Sequence, residues 1–522
     1  MKIYWLNPPL SIRTIYADLG WMNFSTACSQ YEWIWPIIDW AEYHNVDDVV
    51  EHVLENNPDV ICTSSYTWNH VLIDLVCSKV KEVNPNVIII QGGPQQSSLT
   101  LKECPFVDYL CYTTGYGEEF LKAALPQLEQ HGKIIEPDKV PWIVTRDYSA
   151  PTPKVKYEYP SVSSLEHNLP YLFEVVSKAK ARNVRSGIQY ETTRGCPYEC
   201  TYCEWGAGGT GAKVSQQSMD IISKDIDIIG LVGIKDLEII DANFGILNRD
   251  ADVVMEIVNT RERYGFPQTM MLYGLAKVKV EKKERVLDLM FKHGLAEHYF
   301  MSLQTVSDEA LDNVKRTNIT IEENIALAKK YRDLYGASIK AELILGLPGS
   351  TIDDFYAEMD IIQETNGWDW PRAPFLILPA TEAATPFYQR LHKLKVVTAG
   401  VTENEEQDVT YISSSVIGKY RSTQQMVVGS YSFTPTEWKE MFVMNKAQKV
   451  LGPLLTSEQQ ASVELRKYFK IIEQQEWYKE IDVELDKIIN NERQTLDFML
   501  FNNKTIEDYV NEHIEEIKCM AN

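Results

Sequence analysis

Glu191-Thr-Thr-Arg-Gly-Cys196-Pro-Tyr-Glu-Cys200-Thr-Tyr-Cys203-Glu-Trp-Gly206 sets three cysteines at Cys-x3-Cys-x2-Cys spacing, just after a predicted strand at Gly187–Thr192. Three thiolates on one short loop suit three irons of a [4Fe–4S] cluster, because soft thiolates favour iron–sulfur chemistry. The fourth iron is left without a protein ligand, and an open coordination position is what catalysis needs. Gly195 and Pro197 fit a loop that wraps closely round such a group. A structural zinc site and three unrelated core cysteines are the competing readings. Zinc normally closes with a fourth Cys or His at matching spacing, and none follows soon after Cys203.

Outward from this loop, strand and helix signals alternate. Strands are predicted at Gly187–Thr192, Leu237–Ile240, Met270–Tyr273, Tyr299–Gln304, Lys340–Leu345 and Arg372–Leu378, with helical segments such as Ile321–Tyr335 between them. This rhythm predicts a βα barrel, full or partial, over residues 187–395. Residues 1–145 alternate too, with strands at Lys2–Leu6, Val60–Ser64, Val87–Gln91 and Tyr109–Tyr112 and a helix at Val71–Val83. They predict a doubly wound, Rossmann-like α/β domain whose ligands sit beyond the strands' carboxyl ends. Those ends carry Asn7-Pro8-Pro9, Ser64-Ser65-Tyr66, Gly92-Gly93-Pro94 and Gly115-Tyr116-Gly117. Prolines at 137, 141, 151, 153 and 160 suggest a linker, placed at 146–186. Residues 396–522 read as a mainly helical domain that caps the barrel, with helices at Glu458–Gln475 and Trp477–Asn490.

Composition sets limits. Lys and Arg total 51 against 74 Asp and Glu, a net charge of −23 that repels phosphate backbones, so no nucleic-acid partner is expected. No uninterrupted apolar stretch is long enough to span a bilayer, and Met1–Leu10 lacks the pattern of an export signal. No membrane association and a cytoplasmic location are expected. Nine cysteines in 522 residues are too few for a disulfide scaffold.

The cysteine loop resembles the signature of the radical S-adenosylmethionine (SAM) superfamily, including the aromatic Tyr202 before the last cysteine. That resemblance implies that Cys196, Cys200 and Cys203 hold the cluster, that its open iron chelates SAM, and that reduction yields a 5′-deoxyadenosyl radical. Asp241-Ala-Asn-Phe-Gly245, with Asn243 at its centre, is similar to the family's SAM-contacting segment. Ser302-Leu-Gln304 is similar to the fourth-strand motif, whose Gln reaches SAM. Arg316, twelve residues beyond Gln304, matches an Arg that pairs with the SAM carboxylate in coproporphyrinogen-type members. Glu342 matches an acid that binds ribose hydroxyls. The bland readings are surface ion pairs for Arg316 and Glu342, and a core amide for Gln304.

The strand ends of residues 1–145, with Thr114-Gly-Tyr-Gly-Glu-Glu119, resemble the cobalamin-binding domain of one radical SAM class. Ser64 or Ser65 would bond the nucleotide tail, and Gly92, Gly93 and Gly115 would line its slot. The Asp-x-His-x-x-Gly motif of cobalamin mutases is missing after the first strand, so no cobalt-ligating His is implied there. The segment Tyr66-Thr-Trp68-Asn-His70 would face the lower side of the corrin, and Trp68 reads equally as a simple core aromatic. His70 is a further candidate ligand, or simply a capping residue. Trp33, Trp35 and Trp40 would cover the corrin or fill the interdomain seam.

Together these motifs imply a cobalamin-dependent radical SAM enzyme of the class B methyltransferase type. It would methylate an unactivated carbon of a peptide or natural-product intermediate, with a flavodoxin- or ferredoxin-type electron donor. Rearrangement, cyclisation or epimerisation without methyl transfer is the alternative chemistry, and a non-catalytic binding module the alternative class. No catalytic side chain is assigned. Tyr411, Tyr420, Arg421, Tyr431 and Trp438 are substrate-contact candidates, or ordinary core aromatics.

Overall fold

The computed structural model describes residues 1–96, 100–112, 115–150, 157–207, 214–272, 274–275, 279–370, 372–400, 423–491 and 504–521. β1 (Lys2–Leu6) and β2 (Thr14–Ala17) are close in sequence but belong to different sheets. β1 joins β3 (Glu32–Ile34), β4 (Val60–Ser64), β5 (Ile88–Gly92), β6 (Tyr109–Cys111) and β7 (Ile143–Val144) in the order β3-β1-β4-β5-β6-β7. All neighbours are parallel except β6 and β7.

Alternating residues of these strands enter two separate cores. Ile3, Trp5, Cys62 and Ile90 pack on one face, and Tyr4, Leu6, Ile61 and Ile89 on the other. Burial on both faces is why the strands read as continuous apolar runs. The strand order reverses between β1 and β4, and the crevice beyond such a reversal is where open α/β sheets bind ligands.

β2 is instead an edge strand of the second half. It pairs in parallel with β8 (Arg185–Tyr190), with Thr14 opposite Arg185 and Ala17 opposite Ile188. β9 (Thr193–Arg194) and β10 (Ser215–Gln216) form a small antiparallel pair flanking the cysteine loop. β11 (Asp236–Ile239) and β12 (Thr269–Leu272) complete the sheet β12-β11-β8-β2. β13 (His298–Gln304), β14 (Ser338–Leu345) and β15 (Ala373–Pro374) form a second parallel arc. Helices Met219–Val232, Asp250–Tyr264, Val280–Lys292, Ile321–Tyr335 and Ile352–Thr365 alternate with these strands. The expected barrel is therefore present in its partial form.

Residues 146–186 include helices Ser164–His167 and Leu169–Ala181, the second packed on β2 and β8. β16 (Leu376–Ile377), β17 (Lys395–Gly400) and β18 (Thr423–Gly429) make an antiparallel sheet beyond the barrel. Among the described residues five helices follow, from Pro435–Leu451 to Ile514–Ala521, giving the expected helical end. Trp438 is fully buried in this last core. Tyr431 sits at the surface, where its hydroxyl accepts from Asn313 Nδ2 at 2.7 Å. Tyr273, Thr114, Tyr411, Tyr420 and Arg421 lie outside the described residues.

Candidate cofactor site between the sheet edge and the barrel mouth

The cysteine loop leaves β9 at the mouth of the barrel. Cys196 and Cys200 are buried and Cys203 is half-buried. Asn243 Nδ2 donates to Cys196 Sγ at 3.1 Å. Hydrogen bonds to cluster sulfurs are one of the means by which a protein tunes such a centre. Asp241, just after β11, clamps the start of the loop. It accepts from the Thr192 N–H at 2.6 Å and Thr193 Oγ1 at 2.7 Å, and from the Thr192 hydroxyl. Burial pushes its carboxyl up to about 7. Among the described residues no three Cys, His, Asp or Glu side chains converge on one point, as a single zinc ion requires. A cluster takes one thiolate per iron and needs no such convergence.

The expected SAM contacts lie together beside this loop. The Arg316 guanidinium donates to Tyr202 Oη at 2.9 Å, to the Ser302 carbonyl at 2.6 Å and to Asn318 Oδ1 at 2.8 Å. It thus ties the cysteine loop to β13. Ser302 Oγ donates to Glu342, whose carboxyl is pushed upward by burial and pulled back by Ser302, Arg316 and Lys283. Lys283 is fully buried, and burial lowers its ammonium to about 8. Gln304 sits at the register shift of β13 with φ +67°, a backbone that non-glycine residues adopt rarely.

A cavity of about 1170 Å³ runs between the carboxyl edge of the first sheet and the barrel mouth. Ser64, Tyr66, Trp68, Gly92, Gly93 and Gly115 line it from one side, and Tyr202, Glu204, Glu238 and Ala242 from the other. Cys62, Ile90, Cys111, Phe120 and Leu121 add an apolar wall. Tyr66 and Trp68 stack at 4.5 Å with an interplanar angle of 11°, presenting a flat surface. Ser65 is buried away from the cavity, its N–H bonded to the Gly92 carbonyl at 2.7 Å. A Cβ on Gly93, at φ +97°, would lie 2.5 Å from the Ser65 backbone, so this cradle requires glycine. Trp40 lines the cavity, whereas Trp33, Trp35 and His70 do not.

Several residues here carried no sequence signal. Asp18 accepts from Trp5 Nε1 at 2.8 Å and Asn7 Nδ2 at 2.9 Å, fixing the loop after β1. Asn69 Nδ2 donates to Asn7 Oδ1, the Pro8 carbonyl and the Ser64 carbonyl, joining two sheet ends. Glu204 faces the cavity, and burial pushes its carboxyl up to about 7. Tyr16 Oη and Gln189 Nε2 both donate to Glu238 inside the barrel. Partners here can lie far off in the chain, as Tyr16 and Glu238 do, 222 residues apart.

Comparison with known proteins agrees with this layout. Residues 10–125 match the model of the B12 binding domain, and residues 190–362 match that of the radical SAM superfamily. The chain thus carries a B12-binding domain followed by a radical SAM domain. The chain is 29% identical over 357 residues to the cobalamin-dependent radical SAM methyltransferase TokK of Streptomyces tokunonensis, covering 65% of this chain and 50% of TokK. It is 28% identical to the 2-(S-pantetheinyl)-carbapenam-3-carboxylate methyltransferase of Streptantibioticus cattleyicolor, covering 63% and 48%. The chain thus spans about half the length of these relatives. Its fold is similar to that of the radical SAM methyltransferase TsrM from Kitasatospora setae, at TM-score 0.59 and 14% identity, covering 94% of this chain and 98% of TsrM. No helix among the described residues is long and apolar enough to cross a membrane.

Proposed function

We propose that this chain is a cobalamin-dependent methyltransferase that acts on an unactivated carbon of a peptide or natural-product intermediate. One observation carries the reading: a single cavity reaches both the ligand-binding edge of the first sheet and the cysteine loop. When bound, the cluster with SAM supplies hydrogen abstraction and cobalamin supplies the methyl group.

The chain's own residues bind, orient and shield. Cys196, Cys200 and Cys203 would hold the irons, with Asn243 bonding one sulfur. Arg316, Ser302, Gln304 and Glu342 would take SAM, with Tyr202 and Asn243 beside it. Gly92, Gly93 and Gly115 would let the corrin approach the backbone, and Ser64 would bond its tail. The Tyr66–Trp68 stack would close the lower face. Burial pushes the Tyr66 phenol up to about 12, so it stays a neutral donor at physiological pH. The apolar wall excludes water that would quench reactive species. Residues 1–145, 187–395 and 396–522 would serve cobalamin, SAM and substrate in turn, with 146–186 connecting the first two. A flavodoxin or ferredoxin of the cytoplasm would supply the electrons.

Anaerobic reconstitution with iron, sulfide and hydroxocobalamin tests this. About four irons and about one cobalt per chain are expected. Addition of SAM and reductant should then give both 5′-deoxyadenosine and S-adenosylhomocysteine. Iron without cobalt, or 5′-deoxyadenosine alone with every substrate tried, rejects the methyltransferase reading.

A further inference from the structure

Arg194 lies in β9, two residues before Cys196, yet most of its guanidinium contacts are with the other side of the cavity. Nη1 donates to the Gly115 carbonyl at 2.7 Å and to both Glu118 oxygens at 3.2 Å. Nε donates to Glu191 at 2.8 Å, within its own strand end. The guanidinium carbon sits 3.8 Å from the Tyr157 ring centroid, and Tyr157 Oη donates to Glu118 at 3.2 Å. Gly115 is part of the glycine turn that lines the cavity, and Glu118 is in the first turn of the helix Gly117–His131 that follows.

The two halves of the molecule are already docked without this contact. β2 pairs with β8, helix Leu169–Ala181 packs on both, and Tyr16 bonds Glu238 across the seam. A buried Arg between two carboxylates is also a poor source of stability, since desolvation offsets much of its attraction. Its fork is suited to fixing direction: two carboxylates, one carbonyl and one ring face are met by one planar group, which a Lys could not do. What the contact does join is the cysteine loop and the glycine turn.

We infer that Arg194 is a positioning residue that locks the cluster-binding loop to the glycine turn of the cobalamin cavity, and so sets the spacing between the two cofactors. The inference rests on the two-cofactor reading above. Spacing matters most when a methyl group leaves the SAM sulfonium for cobalt(I). There the S–CH3 bond breaks, its electron pair stays on sulfur to give S-adenosylhomocysteine, and cobalt supplies the two electrons of the new Co–CH3 bond. An ångström of misplacement in such a step costs about a hundredfold. Reductive cleavage of SAM at the cluster needs no such register.

Glu118→Gln and Arg194→Lys test it in two arms. In the cofactor-free chain, amide hydrogen exchange is measured across the whole protein. Exchange should rise about tenfold in residues 115–119 and 193–196 together, with little change elsewhere. In the second arm the reconstituted chain receives SAM and titanium(III) citrate, which reduces both cluster and cobalamin, with no further substrate. The ratio of methylcobalamin to 5′-deoxyadenosine should fall about tenfold or more while iron content and 5′-deoxyadenosine hold. Faster exchange in only one segment, or everywhere at once, overturns the inference, as does a parallel fall of both products. If the wild-type chain forms no methylcobalamin, the proposed function fails, and the exchange arm still decides whether Arg194 links the two segments.

Discussion

Asp241 shows what a single side chain contributes to this site, and it sets a pH dependence. Its folded carboxyl holds its proton up to about 7, against the ordinary 3.8 when unfolded, because burial outweighs the bonds from Thr192 and Thr193. Between those values folding takes up a proton, so its contribution to stability falls as pH rises from about 4 to about 7 and is flat above. The loss is on the order of 4 kcal/mol for a shift of this size. Thermal melts of cofactor-free wild type and Asp241→Asn across that window should diverge with this sign, and parallel curves would exclude it. The cysteines give a second test. Cys196→Ala, Cys200→Ala or Cys203→Ala should each abolish the iron–sulfur absorbance and SAM cleavage, while Cys77→Ala, buried behind the first sheet, keeps both. The cysteines could be read from sequence because ligands on one short loop are close in the chain. Arg194 could not, because its partner Glu118 lies 76 residues away.

Elements were legible where burial gave them a period. β4 and β5 are buried on both faces and were read to within a residue, as was helix Ile321–Tyr335. β2 escaped: four residues beside a proline-rich turn give too short a pattern, and its partner β8 begins 171 residues after Thr14. Helix Leu169–Ala181 was hidden because the prolines before it dominate the composition, although Pro170 is in the first turn, where it needs no N–H partner. Two glycines make these joints testable. A Cβ on Gly187 would lie 2.5 Å from the Tyr16 ring, so Gly187→Ala should push Tyr16 off Glu238 and cost about 1–3 kcal/mol by chemical denaturation. Gly93→Ala combines a positive φ with contact on the Ser65 backbone. It should lower cobalamin occupancy after reconstitution while iron content is unchanged. Equal loss of both metals would mean that Gly93 serves the general fold.

For the whole molecule, the arrangement of the halves matters more than their separate folds. Sequence composition suggests a cut near residue 145, yet the contacts cross it repeatedly. β2 completes the barrel sheet from the N-terminal side. Trp21 packs on Tyr171 at 4.6 Å between centroids, Tyr171 Oη accepts from the Asp18 N–H at 3.1 Å, and Asn168 bonds Ser25, Thr26 and the Met22 carbonyl. A chain ending at 145 would leave β2 without its ladder and expose Trp21 and Met22, both buried in the intact chain. It would also strip the loop that holds Asn7, since Asp18 anchors both that loop and this seam. The same interlacing explains how one cavity can be built from two sheets: its walls are held together by β2, which the N-terminal segment contributes to the barrel sheet. Residues 1–145 expressed alone should therefore melt without a cooperative transition and bind no hydroxocobalamin, whereas the full chain melts sharply and is stabilised by it. Circular dichroism melts with and without hydroxocobalamin measure both. A sharp, cobalamin-shifted transition in the fragment would show that the first sheet is a self-sufficient domain, and that the exchanged strand is dispensable to its ligand site.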